Sequence, residues 1–367
     1  MTQGDEDPHL QRAGSLFERQ CAEGRFPGGQ LVVRRGGKEV LNVAVGVARG
    51  FRPAENEPPI PVTPSTRFAL FSASKPVVAL AIAMLVERGF IDVQAPVAKY
   101  FPAFAANGKS AITVLEALTH RAGVFTPELI AHPRTWGDDE AVRAALIAAT
   151  PRWPRGTLAY MPYEYGWILA EVVRGATGAS LHDFIRKEIA GPSGFPGLRF
   201  GATREELPGL AKTYWVGRRW VKVAGIELSK TFEYDNNLPE VLTAFVPAAG
   251  LVCSASDLAA FYELLAQGGA PLISEATLRR YTQGSTDFDR SNRLPLKMGR
   301  GFLLGAATPS LYGYWGTSKV FGHAGAFCTL GWADPERGLA VAIVTNGNRG
   351  PYDSLFRFAP LGTLLRK

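Results

Sequence analysis

The sequence predicts a mixed α+β fold, with an antiparallel sheet built from both ends of the chain and a mainly helical lobe inserted between them. Two observations carry this prediction. Strand-like runs lie at residues 29–34 and 40–47 near the start of the chain and at residues 321–334 and 339–345 near its end. The segments between these two pairs have mostly helical spacing. Because the terminal strands need each other to bury their apolar sides, we expect one sheet flanked by helices.

The first 90 residues contain a helix, a hairpin and a second, buried helix. Residues 10–23 have helical spacing, and the turn Arg35-Gly36-Gly37-Lys38 joins the first two strands. Residues 76–88 are apolar nearly all round, which predicts a buried helix. Pro76 fits its first turn, where a missing N–H costs nothing, and Gly89 fits the position just after its end.

The remaining segments are predicted from their apolar spacing and turn residues. Residues 91–101 suggest a short amphipathic element, residues 194–245 are irregular, and the turn 334–338 joins the last two strands. Further helices are expected at residues 112–119, 138–150, 166–174, 254–265 and 357–366.

These elements predict one unit that spans residues 1–367. Its sheet lobe is expected from residues 1–90 and 245–367, and its mainly helical lobe from residues 91–244. The functional site is expected between the two lobes.

Composition and charge argue against several classes of partner. The 367-residue chain is 46% hydrophobic and 20% charged, which is ordinary for a globular protein. Its net charge is +7, but the basic residues are scattered and form no polybasic block or nucleic-acid motif. We therefore expect no nucleic acid partner. A basic rim that attracts carboxylate substrates is the alternative interpretation of the charge.

The cysteines limit which cofactors are expected, and the N-terminal segment limits the expected location of the protein. Cys21, Cys253 and Cys328 are widely spaced and odd in number, so we expect no disulfide framework, no metal and no other cofactor. Residues 1–20 are polar and acidic and lack the apolar core of a signal peptide, and no run is long enough to span a membrane. The expectation is a cytoplasmic protein without a membrane partner, whose oligomeric state the sequence leaves open.

The motif Ser72-Ala73-Ser74-Lys75 lies where the buried helix begins. A serine and a lysine three residues apart share one face of a helix, so the amine can lie beside the hydroxyl. A serine hydroxyl needs such a partner to accept its proton, and lysine can do so when burial and a helix N-terminus lower its pKa. Taken alone, the pattern also fits an N-cap serine followed by a solvated lysine.

Two further side chains are candidates to complete a site. Tyr160 follows a turn, and a tyrosine beside a lysine can lose its proton more easily and act as a base; a packing tyrosine is the alternative. His323 lies in Gly322-His323-Ala324-Gly325-Ala326, on the presumed edge strand, where small residues let a substrate approach the backbone. His120, at a predicted helix end, is interpreted as a partner of a backbone carbonyl rather than a reactive group.

The S-x-x-K motif, the Tyr160 segment and the His323 segment occur in the same order as in the serine β-lactamase-like family, which the chain resembles. This family includes class C β-lactamases, D-alanyl-D-alanine carboxypeptidases and family VIII carboxylesterases, and the resemblance is strongest to the last. S-x-x-K is the nucleophile motif of serine β-lactamases and penicillin-binding proteins. The resemblance extends from about residue 26 to residue 346. Its matching segments are 27–33, 72–75, 112–120, the segment around Tyr160, 249–258, 322–325 and 331–336.

The resemblance implies a β-lactamase/transpeptidase-like fold and specific roles for the candidate residues. It implies that Ser72 is the acylating nucleophile and that Lys75 and Tyr160 share its proton. It also implies that the backbone N–H groups of Ser72 and Ala326 form the oxyanion hole. His323 takes the place of the lysine in the K-T-G motif of β-lactamases. Ala324 and Gly325, which follow it, are expected to lie against the substrate.

Two departures from the family pattern favour esters over β-lactams or peptides. No K-T-G tripeptide occurs in the chain, and Pro162 stands where many relatives carry the asparagine of Y-x-N. Proline has no side-chain amide to hold a β-lactam or a peptide. We therefore expect a carboxylesterase-like serine hydrolase that acts on a small-molecule ester. Trp136, Trp215 or Trp315 are candidates to line an apolar acyl pocket.

Three alternatives stay open at this point. An alcohol or amine that outcompetes water would make the same site an acyltransferase. The motif also serves β-lactamases and D-amino-acid amidases. A fold that binds without catalysis is the third alternative, although intact Ser72, Lys75 and Tyr160 argue against it.

Overall fold

The structure is a computed structural model that describes residues 7–191, 195, 197–218, 222–223 and 226–367. Its strands are β1 (Gly28–Arg35), β2 (Lys38–Arg49), β3 (Ile60–Pro61), β4 (Phe68–Ala69), β5 (Arg199–Phe200), β6 (Tyr214–Trp215), β7 (Lys222–Val223), β8 (Ile226–Glu227), β9 (Leu251–Cys253), β10 (Thr286–Asp289), β11 (Leu294–Lys297), β12 (Leu303–Leu304), β13 (Phe321–Gly325), β14 (Thr329–Asp334), β15 (Leu339–Thr345) and β16 (Gly347–Asn348).

The described α-helices are α1 (Pro8–Ala22), α2 (Lys75–Glu87), α3 (Val114–Leu118), α4 (Pro127–Ala131), α5 (Asp139–Ala148), α6 (Glu164–Thr177), α7 (Leu181–Phe184), α8 (Leu228–Glu233), α9 (Pro239–Thr243), α10 (Ala255–Ala266), α11 (Glu275–Tyr281) and α12 (Pro351–Leu365). The predicted helices over 112–119, 138–150, 166–174, 254–265 and 357–366 are confirmed as α3, α5, α6, α10 and α12, with ends that shift by several residues. Residues 91–101 form only a short 3-10 turn, Val97–Lys99.

The central sheet joins both ends of the chain, as predicted. Its seven strands run antiparallel in the order β12-β13-β14-β15-β1-β2-β3. The strand nearest the N-terminus pairs directly with one near the C-terminus, from Gly29 opposite Thr345 to Arg35 opposite Leu339. Every residue of β15 is buried, because this strand lies in the middle of the sheet with apolar helices on both faces.

The two faces of the sheet carry different helices. Val32 faces a large apolar cluster with α2 and α10, whereas Leu31 and Val33 face a second cluster with α1 and α12. This alternation is what the two-residue repeat of a strand requires. The division of the chain into a sheet lobe and a helical lobe stays a prediction.

Helix α2 is the buried helix that the sequence predicts. All its residues from Lys75 to Leu85 are buried. Pro76 lies in its first turn, and Gly89 follows its end with a φ of +76°. The helix therefore brings the S-x-x-K segment into the interior at its N-terminal end.

The run 321–334, predicted as one strand, forms two strands instead. Gly325 ends β13, and Ala326 and Phe327 follow with φ values of +44° and +63°, which turn the chain into β14. The presumed edge position is also wrong for part of β13, because β12 pairs with Phe321 and Gly322 on the outer side. The residues from His323 onward extend beyond that pairing.

The irregular segment and the membrane-span prediction can be compared with the described residues only. Segment 194–245 lies partly outside the described residues, and the described part holds short strands and helices. Among the described residues, no helix combines the length and the apolar character needed to cross a bilayer. A cytoplasmic location stays a prediction.

Candidate active site

Ser72 lies in a 3-10 helix, Phe71–Ser74, that leads directly into α2. Strand β4 fixes this segment by pairing with β9, and the amide of Leu70 donates a hydrogen bond to the carbonyl oxygen of Leu251 at 2.8 Å. Ser72 therefore lies just before the α-helix rather than within its first turn. The S-x-x-K spacing still places the two side chains on the same face, because residues three apart eclipse each other in a 3-10 helix.

The amine of Lys75 is buried against three oxygen atoms. Nζ lies 3.1 Å from Ser72 Oγ, 2.8 Å from the carbonyl oxygen of Pro162 and 3.2 Å from the carbonyl oxygen of Ala248. Burial lowers the pKa of Lys75 to about 7, because desolvation penalises the charged ammonium. The amine is thus partly neutral near neutral pH while it contacts the serine hydroxyl.

A buried acid, Glu164, acts on Lys75 and was not predicted from the sequence. Its carboxylate accepts hydrogen bonds from the amide and the hydroxyl of Thr126, both at 2.8 Å. Burial raises the pKa of Glu164. Its negative charge raises the pKa of Lys75 and offsets part of the effect of burial. The available signal was an acidic residue in the otherwise apolar and aromatic run 163–169.

Tyr160 lies over Lys75, with its ring centroid 5.0 Å from Nζ. Its hydroxyl interacts with the side chain of Ser72, which lowers the pKa of Tyr160, but burial raises this pKa by more. The net shift is upward, so the structure contradicts the expectation that this phenol loses its proton more easily. The phenol of Tyr160 therefore keeps its proton at neutral pH.

The backbone on both sides of Tyr160 is held by distant residues. Its own amide donates to Oδ1 of Asp289, a fully buried carboxylate, at 2.9 Å. The amide of Met161 donates to Nδ1 of His120 at 3.0 Å. The interpretation of His120 as a partner of a backbone carbonyl is therefore wrong, because its ring nitrogen accepts from an amide.

His323 is a buried, neutral imidazole beside this group. Its Nδ1 lies 2.7 Å from the carbonyl oxygen of Ala324, so Nδ1 carries the proton and Nε2 has a free lone pair. Nε2 is buried and has no hydrogen-bond partner in the part of the chain that the structure describes. Burial, followed by the charge of Lys75, lowers the pKa of His323 to about 3. The ring lies 6.3 Å from that of Tyr160.

The strand that carries His323 lies against the serine segment through Gly325. A Cβ atom at this glycine would lie 1.9 Å from the carbonyl oxygen of Leu70. The hydroxyl of Thr329 donates to the same oxygen at 2.8 Å. This close approach brings Ala326, the next residue, to the start of the Ser72 helix. The side chain of Ala324 packs toward the opposite face of the sheet, with the second apolar cluster.

The amides of Ser72 and Ala326 have no partner within their own secondary structure. Ser72 lies in the first turn of its 3-10 helix, where N–H groups lack a helical acceptor. The amide of Ala326 donates to no other group among the described residues. Two free N–H groups at adjoining segments are what a developing oxyanion needs.

Two buried side chains that the sequence did not predict hold the turn at Ala326. Asn348 Nδ2 donates to the carbonyl oxygen of Ala326. The guanidinium of Arg357, which is 1% exposed, donates to the carbonyl oxygen of Phe327 at 2.5 Å. Both contacts hold the backbone of the turn that contains Ala326 and Phe327.

Backbone strain is concentrated around the site. Seven non-glycine residues among those described have a positive φ, and four of them are Phe71, His120, Ala326 and Phe327. Such conformations cost about 1–3 kcal/mol each and persist only where the surroundings enforce them. The strained residue Phe71 immediately precedes Ser72.

A narrow apolar crevice of about 30 Å³ is lined by Phe71, Trp136 and Ala249, among others. A single water needs roughly 10–15 Å³ on the same measure, so the crevice admits only a small group. Of the three candidate tryptophans, only Trp136 lines this crevice. Trp215 packs in the cluster around Phe71, and Trp315 is 72% exposed.

A family model described as Beta-lactamase matches residues 13–359. The chain belongs to the β-lactamase family. Esterase/beta-lactamase LipL of Mycobacterium tuberculosis is 29% identical to it over 94% of this chain and 82% of that protein. The structure of a penicillin-binding protein homologue from Caulobacter crescentus has a TM-score of 0.81 and 28% identity, covering 97% of this chain and 96% of that one. A family VIII carboxylesterase has a TM-score of 0.78 at 24% identity, with 97% of both chains covered, and shows the same fold.

This member of the β-lactamase family is a serine hydrolase of the esterase/β-lactamase type. Within the described residues, no group of three or more His, Cys, Asp or Glu side chains could hold a metal ion. The two positions at which the sequence departs from the family pattern both interact with Lys75, one by a hydrogen bond and one electrostatically. Pro162 contacts it through a backbone carbonyl, and His323 is a neutral imidazole whose pKa the lysine charge lowers.

Proposed function

We propose that this serine hydrolase cleaves small, uncharged carboxylic esters through an acyl-enzyme on Ser72. The observation that carries the proposal is the 3.1 Å contact between the Ser72 hydroxyl and the buried amine of Lys75, whose pKa lies at about 7. A base of this pKa is near the optimum for taking a proton at neutral pH.

The hydrogen-bond geometry of Lys75 supports its role as the base. A neutral amine has two N–H donors and one lone pair. The carbonyl oxygens of Pro162 and Ala248 can only accept hydrogen bonds, and they lie 2.8 and 3.2 Å from Nζ. When both N–H groups point to these oxygens, the lone pair is left for the hydroxyl of Ser72.

Acylation follows from this arrangement. The Ser72 proton moves to Lys75 Nζ while Oγ forms a bond to the substrate carbonyl carbon. The negative charge on the carbonyl oxygen is stabilised by the amides of Ser72 and Ala326; one such donor contributes about two to three orders of magnitude in rate. When the C–O bond to the leaving alcohol breaks, Tyr160 donates its phenolic proton to the alkoxide and regains one from Lys75.

Deacylation reverses these proton transfers, with water in place of the alcohol. Water gives its proton through Tyr160 to the neutral Lys75 and attacks the acyl carbon. The bond to Ser72 Oγ then breaks, and Oγ recovers a proton from the lysine. The carboxylic acid leaves and the resting enzyme is restored.

Residues Pro162 and His323 support the choice of an uncharged ester. Position 162 offers no side-chain amide, and position 323 offers an uncharged acceptor, because the pKa of His323 is lowered to about 3. Neither side chain offers a hydrogen-bond donor to the carboxylate of a β-lactam. The narrow crevice beside Phe71 supports a short acyl group.

Turnover of chromogenic substrates tests the proposal. Wild-type protein, Ser72→Ala and the control Ser65→Ala are incubated with p-nitrophenyl acetate, p-nitrophenyl butyrate and nitrocefin. The expected result is ester hydrolysis that Ser72→Ala abolishes and Ser65→Ala, an exposed serine in the preceding loop, retains. Faster turnover of nitrocefin than of both esters would instead favour a β-lactamase, the second activity in the name of the mycobacterial relative. No turnover of any substrate would favour a binding protein.

A further inference from the structure

His120 occupies a backbone position that usually belongs to glycine. It follows α3, where its amide donates to the carbonyl oxygen of Ala117 at 3.3 Å and the amide of Arg121 donates to that of Glu116 at 2.6 Å. These paired hydrogen bonds end many helices and require a left-handed residue, here His120 with a φ of +57°. Glycine would adopt this conformation without strain. An imidazole at this position therefore needs another explanation.

The imidazole and the backbone of His120 hold Tyr160 on three sides. The amide of Ala159 donates to the carbonyl oxygen of His120 at 2.9 Å, and the amide of Met161 donates to its Nδ1 at 3.0 Å. The ring of His120 stacks on that of Tyr160, with centroids 4.4 Å apart and planes 24° apart. The side chain of His120 thus contacts the ring of Tyr160 and the amide of Met161, and the backbone of His120 binds the amide of Ala159.

The imidazole is itself fixed and stays neutral. It is fully buried and also stacks on Tyr165 at 4.9 Å. Burial, followed by the charge of Lys75, holds the pKa of His120 well below its usual range. The neutral ring leaves Nδ1 as the acceptor for the amide of Met161.

We propose that His120 is a positioning residue that holds the Tyr160 hydroxyl in place over Ser72 and Lys75. This inference rests on the proposed function, which assigns a proton transfer to Tyr160. It goes beyond that function because it explains why a strained histidine, rather than glycine, ends helix α3. His120 transfers no proton in the proposed mechanism.

Two substitutions separate the imidazole from the backbone conformation. His120→Gly accepts the left-handed conformation and removes the ring. His120→Asn also tolerates this conformation, and its side-chain oxygen can replace Nδ1 as the acceptor for the Met161 amide. We expect kcat for p-nitrophenyl acetate to fall about 100-fold in His120→Gly with little change in KM, since a misplacement of about 1 Å can cost that much. His120→Asn is expected to recover most of this loss.

A double-mutant cycle with Tyr160→Phe tests whether His120 acts through the tyrosine. If it does, His120→Gly causes little further loss in the Tyr160→Phe background, because the hydroxyl that it positions is already gone. His182→Ala is the matched control. It removes another imidazole stacked on an aromatic ring, Phe245, at 4.9 Å, and is expected to leave kcat unchanged.

Different results would refute the positioning role of His120 and the proposed function. Wild-type kcat in His120→Gly, or an equal loss in the wild-type and Tyr160→Phe backgrounds, would overturn the positioning role. Failure of His120→Asn to recover activity in a protein with a wild-type melting temperature would also overturn it. Undiminished ester hydrolysis by Ser72→Ala, measured in the same series, would instead refute the proposed function.

Discussion

The amine of Lys75 lies 2.8 Å from the backbone carbonyl oxygen of Pro162. This contact does not depend on the side chain at position 162, so the loss of the family asparagine leaves the lysine anchored. The carbonyl oxygens of Pro162 and Ala248 instead select the direction of the amine lone pair. The lysine can thus serve Ser72 even though the side-chain amide is missing.

The pH dependence of ester hydrolysis tests the state of Lys75. The neutral amine is the active form, and its pKa is about 7, so kcat/KM should rise with pH and level off above that value. Well below it, the slope should approach about tenfold per pH unit. Because the pKa of Tyr160 is raised, no decline is expected at mildly alkaline pH. A rate that falls between about pH 6 and pH 8 would contradict this assignment.

Replacing the buried acid Glu164 should move this profile toward lower pH. The negative charge of Glu164 stabilises the ammonium form and raises the pKa of Lys75. Glu164→Gln removes that charge, so the neutral amine should form at a lower pH. The measurement is the midpoint of the kcat/KM profile with p-nitrophenyl acetate.

The control for this prediction is Glu171→Gln, the same substitution farther along helix α6. Glu171 pairs with Arg143 and Arg174 rather than with the site. Its profile should keep the wild-type midpoint. A midpoint that moves to higher pH in Glu164→Gln, or that moves equally in both variants, would refute the coupling between Glu164 and Lys75.

Removing the imidazole of His323 should change substrate choice without unfolding the protein. Nε2 of His323 is a buried acceptor without a partner among the described residues. A p-nitrophenyl ester has no donor for this atom, so His323→Ala should act through the space that it opens: kcat/KM for the butyrate should rise about tenfold relative to that for the acetate, roughly the value of one methylene in an apolar pocket. The ratio of acetate to butyrate turnover and the melting temperature are measured together. A variant that matched the wild type on every ester tested would exclude a role in the substrate pocket.

Adding one methyl group at Gly325 should separate the two oxyanion-hole segments. A Cβ atom there would lie 1.9 Å from the carbonyl oxygen of Leu70, so Gly325→Ala must push β13 away from the serine segment. We expect kcat to fall by about 100-fold to 1,000-fold, as for the loss of one oxyanion donor.

Gly209→Ala is the control for this loss, because a Cβ atom at Gly209 meets nothing within 4 Å and its φ is not positive. It should keep wild-type activity. Equal activity in Gly325→Ala and Gly209→Ala would show that the contact with Leu70 does not position the hole.

Local patterns were sufficient to predict much of the fold. The pairing of β1 with β15 followed from apolar runs at both ends of the chain, and α2 followed from a run of apolar residues closed by Gly89. The break between β13 and β14 was missed, because the left-handed turn at Ala326 depends on distant partners such as Asn348 and not on local composition.

The candidate site was predictable to a similar degree. The S-x-x-K spacing was enough to predict the contact of Ser72 with Lys75. Sequence spacing could not show the burial that raises the pKa of Tyr160, so the direction of that shift was wrong. Glu164 and Arg357 were missed for a related reason: charged residues on helices are usually exposed, and only the tertiary fold shows that these two are buried.

The central claim is a covalent acyl-enzyme on Ser72, and the most direct test is to trap it. Wild-type protein and Ser72→Ala are mixed with p-nitrophenyl acetate, quenched in acid within the first turnover, and analysed by intact mass and peptide mapping. The account predicts one added acetyl group, on the peptide that contains Ser72, in the wild type alone. Acetylation of another residue at the same rate, or turnover by Ser72→Ala, would contradict it.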